Sequence, residues 1–234
     1  MAPGSGSEAF RQAAAGFGEA LAALGRHGPG ALEVRRADAV GARVACAEDH
    51  HWIDAALVPV GGPLPPAEDA ALPHCLWAES GLRLEGRTEL RELAMPVMTL
   101  DLREAPDADG AVEQVPIGEI GAVNDRAYGG DQLGRLIAAL PPGVGFAHGV
   151  RAADGRLVSV AASLDLGTDT SVQWVATGPG HRRQGLGTRV MRRLLHEARR
   201  RGRETASLQA SPDGLPLYER LGFTTVGELR PHVR

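Results

Sequence analysis

The sequence predicts a mixed α/β fold, a twisted sheet with helices on both faces. Two observations carry this. Short strand-like runs crowd the first half, and the second half opens on a two-strand hairpin and then alternates strands with helices. The third is size: 234 residues, 43% hydrophobic, suffice for one large domain or two small ones.

Taken in order, residues 8–24 form an amphipathic helix, because Phe10, Ala14, Phe17, Leu21 and Leu24 recur at helical spacing and Gly25 supplies a stop. Strand-like runs follow at 32–34, 42–45 and 53–58. Gly61 to Pro66 breaks the chain, and Ala67 to Leu72 reads as the opening of a second helix. Met95 to Leu100 is an apolar run with Pro96 inside it, expected at a sheet edge. The charged stretch Arg103 to Gly110 reads as a linker, dividing the chain into residues 1–104 and 105–234.

Beyond it, 117–128 and 132–140 are helical, ended by Gly129-Gly130 and Pro141-Pro142. Strands at 146–151 and 157–166 flank an Asp154-Gly155 turn, and 172–177 is a third. Leu186, Val190, Leu194 and Ala198 share one face of a long helix whose other faces carry arginines. A strand at 205–209, a helix at 215–221 and a strand at 223–226 complete the order.

Composition excludes several function classes. The balance of 25 basic and 29 acidic residues, net −4, argues against general nucleic-acid binding. There is no lysine, which removes Schiff-base chemistry and the phosphate-binding lysine of a Walker loop. No apolar run reaches the ~18–20 residues of a membrane span. The first residues lack the features of a secretory leader, so a soluble cytoplasmic protein is expected. Cys46 and Cys75 make at most one bridge. Glu48, Asp49, His50 and His51 are adjacent and diverge, so they read as a solvated loop and no metal site is expected.

The stretch from Val175 to Thr188 carries the chemistry. It runs from a strand through a turn into a helix opened by Gly185 and Gly187, with Arg182 and Arg183 alongside. First-turn amides at the positive end of a helix dipole suit a phosphate or pyrophosphate. Gly178, Gly180 and Gly185 give G-x-G-x-x-x-x-G, not the dinucleotide fingerprint. Arg182-x-x-Gly185-x-Gly187 resembles instead the Arg/Gln-x-x-Gly-x-Gly/Ala pyrophosphate loop of the GNAT (Gcn5-related) N-acetyltransferases. Downstream, Ser211 to Phe223 resembles that family's N-x-x-A-x-x-x-Y-E-x-x-G-F signature, with Ser211 in place of Asn and Gly214 in place of Ala.

The resemblance spans Val112 to Val233 and implies the acyl-CoA N-acyltransferase fold with acetyl-CoA as cosubstrate. It implies that backbone groups of Val175, Ala176 and Thr177 pair with the pantetheine arm and polarise the acyl carbonyl. Arg182, Arg183, Gln184, Gly185, Leu186, Gly187 and Thr188 would hold the pyrophosphate, and Ser211 would touch the arm. Tyr218 would donate to the leaving sulfur. The implied reaction is acetyl transfer to a primary amine of a small molecule or peptide; the alternative is a catalytically silent acyl-CoA sensor. No nucleic acid or membrane partner is expected, and a homodimer is compatible.

The family's strand glutamate is missing: the stretch reads Ser171-Val172-Gln173-Trp174. Gln173 cannot take a proton, and Asp165, His148, a water relay and an amine arriving neutral stay open. Residues 1–104 vaguely resemble a decayed second copy of the fold, covering the acceptor cleft with Trp52 or Trp77 lining it.

Overall fold

The computed structural model describes residues 5–45, 51–108 and 111–234. In chain order they form α1 (Ser5–His27), β1 (Ala31–Arg35), β2 (Val40–Val44), β3 (Ala55–Leu57), β4 (Cys75–Glu79), β5 (Thr88–Glu89) and β6 (Met95–Asp101). Then come β7 (Glu113–Val115), α2 (Gly121–Tyr128), α3 (Gln132–Ala138), β8 (Phe146–Arg151), β9 (Leu157–Leu166) and β10 (Asp169–Thr177). The chain ends with α4 (Leu186–Arg200), β11 (Thr205–Gln209), α5 (Leu215–Arg220) and β12 (Thr224–Val233). No helix among the described residues is long and apolar enough to cross a membrane. Cys46 and the loop residues Glu48, Asp49 and His50 lie outside the described residues.

The chain packs as two units. The first comprises Met1–Thr99, Leu208–Asp213 and Thr224–Arg234; the second comprises Leu100–Ser207 and Gly214–Phe223. Compared with a cut at 104/105, residues 100–104 fall in the second unit, and Leu208–Asp213 and Thr224–Arg234 fall in the first. β12 pairs antiparallel with both β4 and β6, and Ala210 bonds to Pro96 of β6.

In the first unit the strands run β1-β2-β3-β4-β12-β6, antiparallel except for β3 and β4. Strand alternation sorts the side chains of β4. Cys75 and Trp77 join Phe10, Phe17 and Leu21 of α1 in one core, while Leu76 and Ala78 join Val34, Val58 and Leu72 in another. α1 packs closely over Gly227 of β12: a Cβ there would lie 2.4 Å from the Phe10 ring.

Three expectations change here. Residues 67–72 form turns rather than a helix, and the strand at 75–79 was unforeseen. Met95–Asp101 is no edge strand, because β12 lies on one side and the Ala210 amide donates to the Pro96 carbonyl on the other, at 2.9 Å. Trp77 is fully buried against Phe17 and Trp52, so it fills a core and lines no cleft.

In the second unit β7, β8, β9 and β10 form an antiparallel run. β11 joins parallel to β10, as a right-handed strand–helix–strand crossover through α4 would place it. All residues from Leu157 to Leu164 are buried, so both faces of β9 are covered. Val190, Met191, Leu194, Leu195 and Ala198 form the buried side of α4, which contains the expected Val190, Leu194 and Ala198.

Candidate functional site

The site begins where two strands part. β10 and β11 pair only from Asp169–Thr205 to Ser171–Ser207, and β10 then runs on to Thr177 without that partner. At the closed end Asp169 is buried and accepts from the hydroxyls of Thr205 (2.7 Å) and Ser207 (2.6 Å). Burial raises its carboxyl above the ordinary aspartate range, against the pull of those two donors. Sequence reading missed Asp169, because nothing local marks a carboxylate whose partners lie 36 and 38 residues away.

Further along β10 the register with β9 shifts between Gln173 and Ala176, and Trp174 takes φ 52°. This bulge is held from α2. Asn124 donates to the Trp174 carbonyl at 3.4 Å, and Tyr128, one turn later, donates its hydroxyl to the Val175 carbonyl at 2.7 Å. Neither residue stood out in the sequence, since a polar group at the end of an amphipathic helix carries no spacing signal.

Beyond the bulge the strand has a defined direction. The Gly178 amide donates across to Val158 at 2.9 Å, so the Thr177 carbonyl of the same trans peptide points away from β9. Alternation turns the Thr177 amide and the Val175 carbonyl the same way, and the Ala176 carbonyl towards β9. Arg182 then reaches back, with Nε donating to the Thr177 carbonyl (3.2 Å) and Nη2 to the Ala127 carbonyl (2.9 Å).

The turn that follows presents main-chain donors. Arg183 (φ 59°) and Gly185 (φ 74°) are both left-handed, an arrangement that folds successive amides around an anion. The first helical bond of α4 runs from the Arg189 amide to the Gly185 carbonyl at 3.1 Å. The amides of Leu186, Gly187 and Thr188 therefore fall in the turn that has no helical acceptor. Residues 182–185 are exposed, and a Cβ on Gly185 would meet open space. Gly187 faces Thr177 and Leu217: a Cβ there would lie 3.7 and 3.6 Å from their side chains. Beside the turn a cavity of about 190 Å³ is lined by Arg126, Arg156 and His181 among others. Arg182 and Arg183 stand exposed in the turn itself.

Tyr218 sits in α5 with its ring edge-on to Phe223, centroids 6.1 Å apart, and is 7% exposed. Burial, with a smaller push from the neighbouring Tyr128 phenol, raises its hydroxyl well above the ordinary tyrosine value. Ser211 follows β11, is exposed, and belongs to the first unit.

No carboxylate approaches as a free base from the expected positions. Gln173 is buried and donates to the Ser171 hydroxyl at 2.9 Å. Asp165 is bound by Arg201 (3.0 and 3.1 Å) and Thr170 (2.7 Å). Burial raises its carboxyl, but those donors outweigh it and the net shift is downward. His148 is 1% exposed, and neither ring nitrogen has a hydrogen-bond partner among the described residues. Burial, aided by Arg193 and Arg201, pushes it down to about 4, so it is a neutral core imidazole at neutral pH. Cys75 is buried and burial pushes its thiol up to about 12, which leaves it unreactive. Among the described residues no three metal-ligating side chains cluster.

Residues 124–223 match the model of the acetyltransferase (GNAT) family. No curated protein sequence matches the chain. Among solved structures, a GCN5-related N-acetyltransferase from Kribbella flavida superposes with a TM-score of 0.62 at 23% identity, covering 94% of this chain and 95% of that one. A GNAT-family protein from Novosphingobium aromaticivorans gives 0.58 at 20% identity over 86% and 89%. A tandem GNAT protein from the clavulanic acid biosynthesis pathway gives 0.55 at 12% identity over 95% and 94%. At these identities the likeness is one of fold.

Proposed function

We propose that this chain, which matches the acetyltransferase (GNAT) family model over residues 124–223 and resembles a GCN5-related N-acetyltransferase in fold, transfers an acetyl group from acetyl-CoA to a primary amine by direct attack within a ternary complex. The observation that carries this reading is the turn at 182–188, exposed from 182 to 185, with left-handed Gly185 and amides at 186–188 that have no helical acceptor, at the end of the open part of β10. A diphosphate there would be met by the amides from Arg183 to Thr188 and by the arginines beside them. The outward backbone of β10 suits the amides of the pantetheine arm, and the Thr177 amide offers a donor to the thioester oxygen.

In the reaction the amine nitrogen bonds to the acyl carbon, the carbon–sulfur bond breaks, and the amine releases a proton to water. Tyr218 serves the departing sulfur. A phenol held above its ordinary value stays protonated, while a thiol sits near about 8.5, so complete transfer is uphill. Hydrogen-bond donation to the developing thiolate is the role this environment supports, and water completes the protonation. The bound states of Gln173 and Asp165 favour an amine that arrives neutral.

The pH dependence follows with a definite sign. A donor whose hydroxyl is raised loses activity only as pH climbs past that raised value. The rate is therefore expected to rise with the fraction of free amine and to show no descending limb below about pH 10. Stopped-flow thiol release across that range checks it.

Gly185→Val is expected to weaken acetyl-CoA binding at least about tenfold, since a β-branched residue is strained at φ 74° and its side chain enters the space before the amides. Calorimetric titration measures this. The assignment itself is tested by thiol release from acetyl-CoA across antibiotics, polyamines, amino acids and peptide amino termini. Turnover with any of these supports the transferase. Binding without turnover supports the second reading, a silent acyl-CoA sensor, which the absence of a free carboxylate at Gln173 and Asp165 favours.

The first half is read as a degenerate copy of the same fold that binds no coenzyme. The likeness to a tandem GNAT protein over 95% of the chain supports this.

A further inference from the structure

The outward carbonyls of β10 are already engaged. Val175 accepts from the Tyr128 hydroxyl at 2.7 Å, and Thr177 accepts from Arg182 Nε at 3.2 Å. Both donors come from outside the sheet, one from the end of α2 and one from the turn before α4. Both carbonyls lie on the stretch of β10 that β11 no longer accompanies. The two donors thus occupy the positions a neighbouring strand would fill. We propose that Tyr128 and Arg182 are stand-ins for the amides of the coenzyme's arm: they cap the Val175 and Thr177 carbonyls in the free chain and yield them when the arm pairs with β10. This inference rests on the acyl-CoA reading given above.

The geometry allows the exchange at low cost. Tyr128 is 64% exposed and sits at the last residue of α2, before Gly129 in the left-handed conformation, so its ring can swing without disturbing a core. Arg182 is exposed as well, and its other hydrogen bond is to the Ala127 carbonyl at the end of the same helix. Releasing Thr177 detaches one of the two bonds that hold this guanidinium. The freed cation lies at the start of the turn whose amides face the diphosphate. Arm pairing and diphosphate binding would therefore reinforce each other through one side chain, a coupling that needs no movement of the strand.

The test compares three ligands on the wild-type chain and on Tyr128→Phe: CoA, pantetheine, and adenosine 3′-phosphate 5′-diphosphate, the coenzyme without its arm. In the variant the Val175 carbonyl is free before binding, so the arm displaces no protein donor. CoA and pantetheine should bind roughly two- to tenfold tighter to the variant, the worth of one exposed hydrogen bond. The armless nucleotide should bind both proteins equally, which also shows that the variant is folded. Unchanged or weaker binding of CoA by Tyr128→Phe, with the nucleotide still bound, overturns the inference and leaves the diphosphate assignment standing. Failure of all three ligands to bind the wild type overturns both.

Discussion

Tyr218→Phe is expected to lower kcat for acetyl transfer by about 10²–10³-fold, the usual worth of one hydrogen-bond donor to developing negative charge, and to leave the Kd for acetyl-CoA within about twofold. The two effects separate because the phenol meets the substrate's sulfur only as charge develops on it. The substitution removes one oxygen from a ring packed against Phe223, so the small helix that carries it keeps its packing. Steady-state thiol release gives kcat, and calorimetry gives Kd. A variant that keeps its turnover would mean that water alone serves the departing thiolate.

Trp77→Ala is expected to remove ~3–5 kcal/mol from the unfolding free energy, read from urea denaturation followed by circular dichroism. The indole is fully buried, lies edge-on to Phe17 at 5.6 Å and 4.9 Å from the Trp52 ring, and donates Nε1 to the His51 carbonyl at 2.8 Å. Truncation opens a cavity between α1 and β4 and leaves that carbonyl without its donor. Trp77→Phe keeps most of the volume and should cost clearly less. An alanine variant as stable as the wild type would show that the core of the first unit closes around the gap.

The sequence was most legible where structure is local. The arginine-rich helix, the Asp154-Gly155 turn and the strand at 205–209 each rest on periodicity or turn chemistry within a few residues, and all three form. What escaped depends on distant pairing. Cys75, Leu76, Trp77 and Ala78 are all apolar and all buried, facing two different cores by turns, so the run gives no period-2 contrast. Pro96 suggested an edge, yet its carbonyl still accepts from Ala210, so a missing amide did not exclude a neighbour. The final strand extends to Val233 because β4, remote in sequence, pairs with it from Leu229 to Val233.

The candidate site divides the same way. The turn at 182–188 could be found because glycine at a left-handed position leaves a spacing that the eye can match. The hold on the bulge by Asn124 and Tyr128, about 50 residues upstream of the carbonyls they bind, could not. His148 and Asp165 looked like candidate bases because residue type alone says nothing about what a side chain is buried against or bound to. One is enclosed without a hydrogen-bond partner among the described residues, and the other is bound by Arg201.

The central claim is that main-chain amides between Arg183 and Thr188 hold the diphosphate of an acyl-CoA. Amide-resolved NMR of the labelled chain, titrated with CoA, addresses it most directly. Saturable shifts are expected, largest at Leu186, Gly187 and Thr188 and at the Thr177 amide of β10. Shifts confined to other residues, or none at millimolar coenzyme, would contradict it.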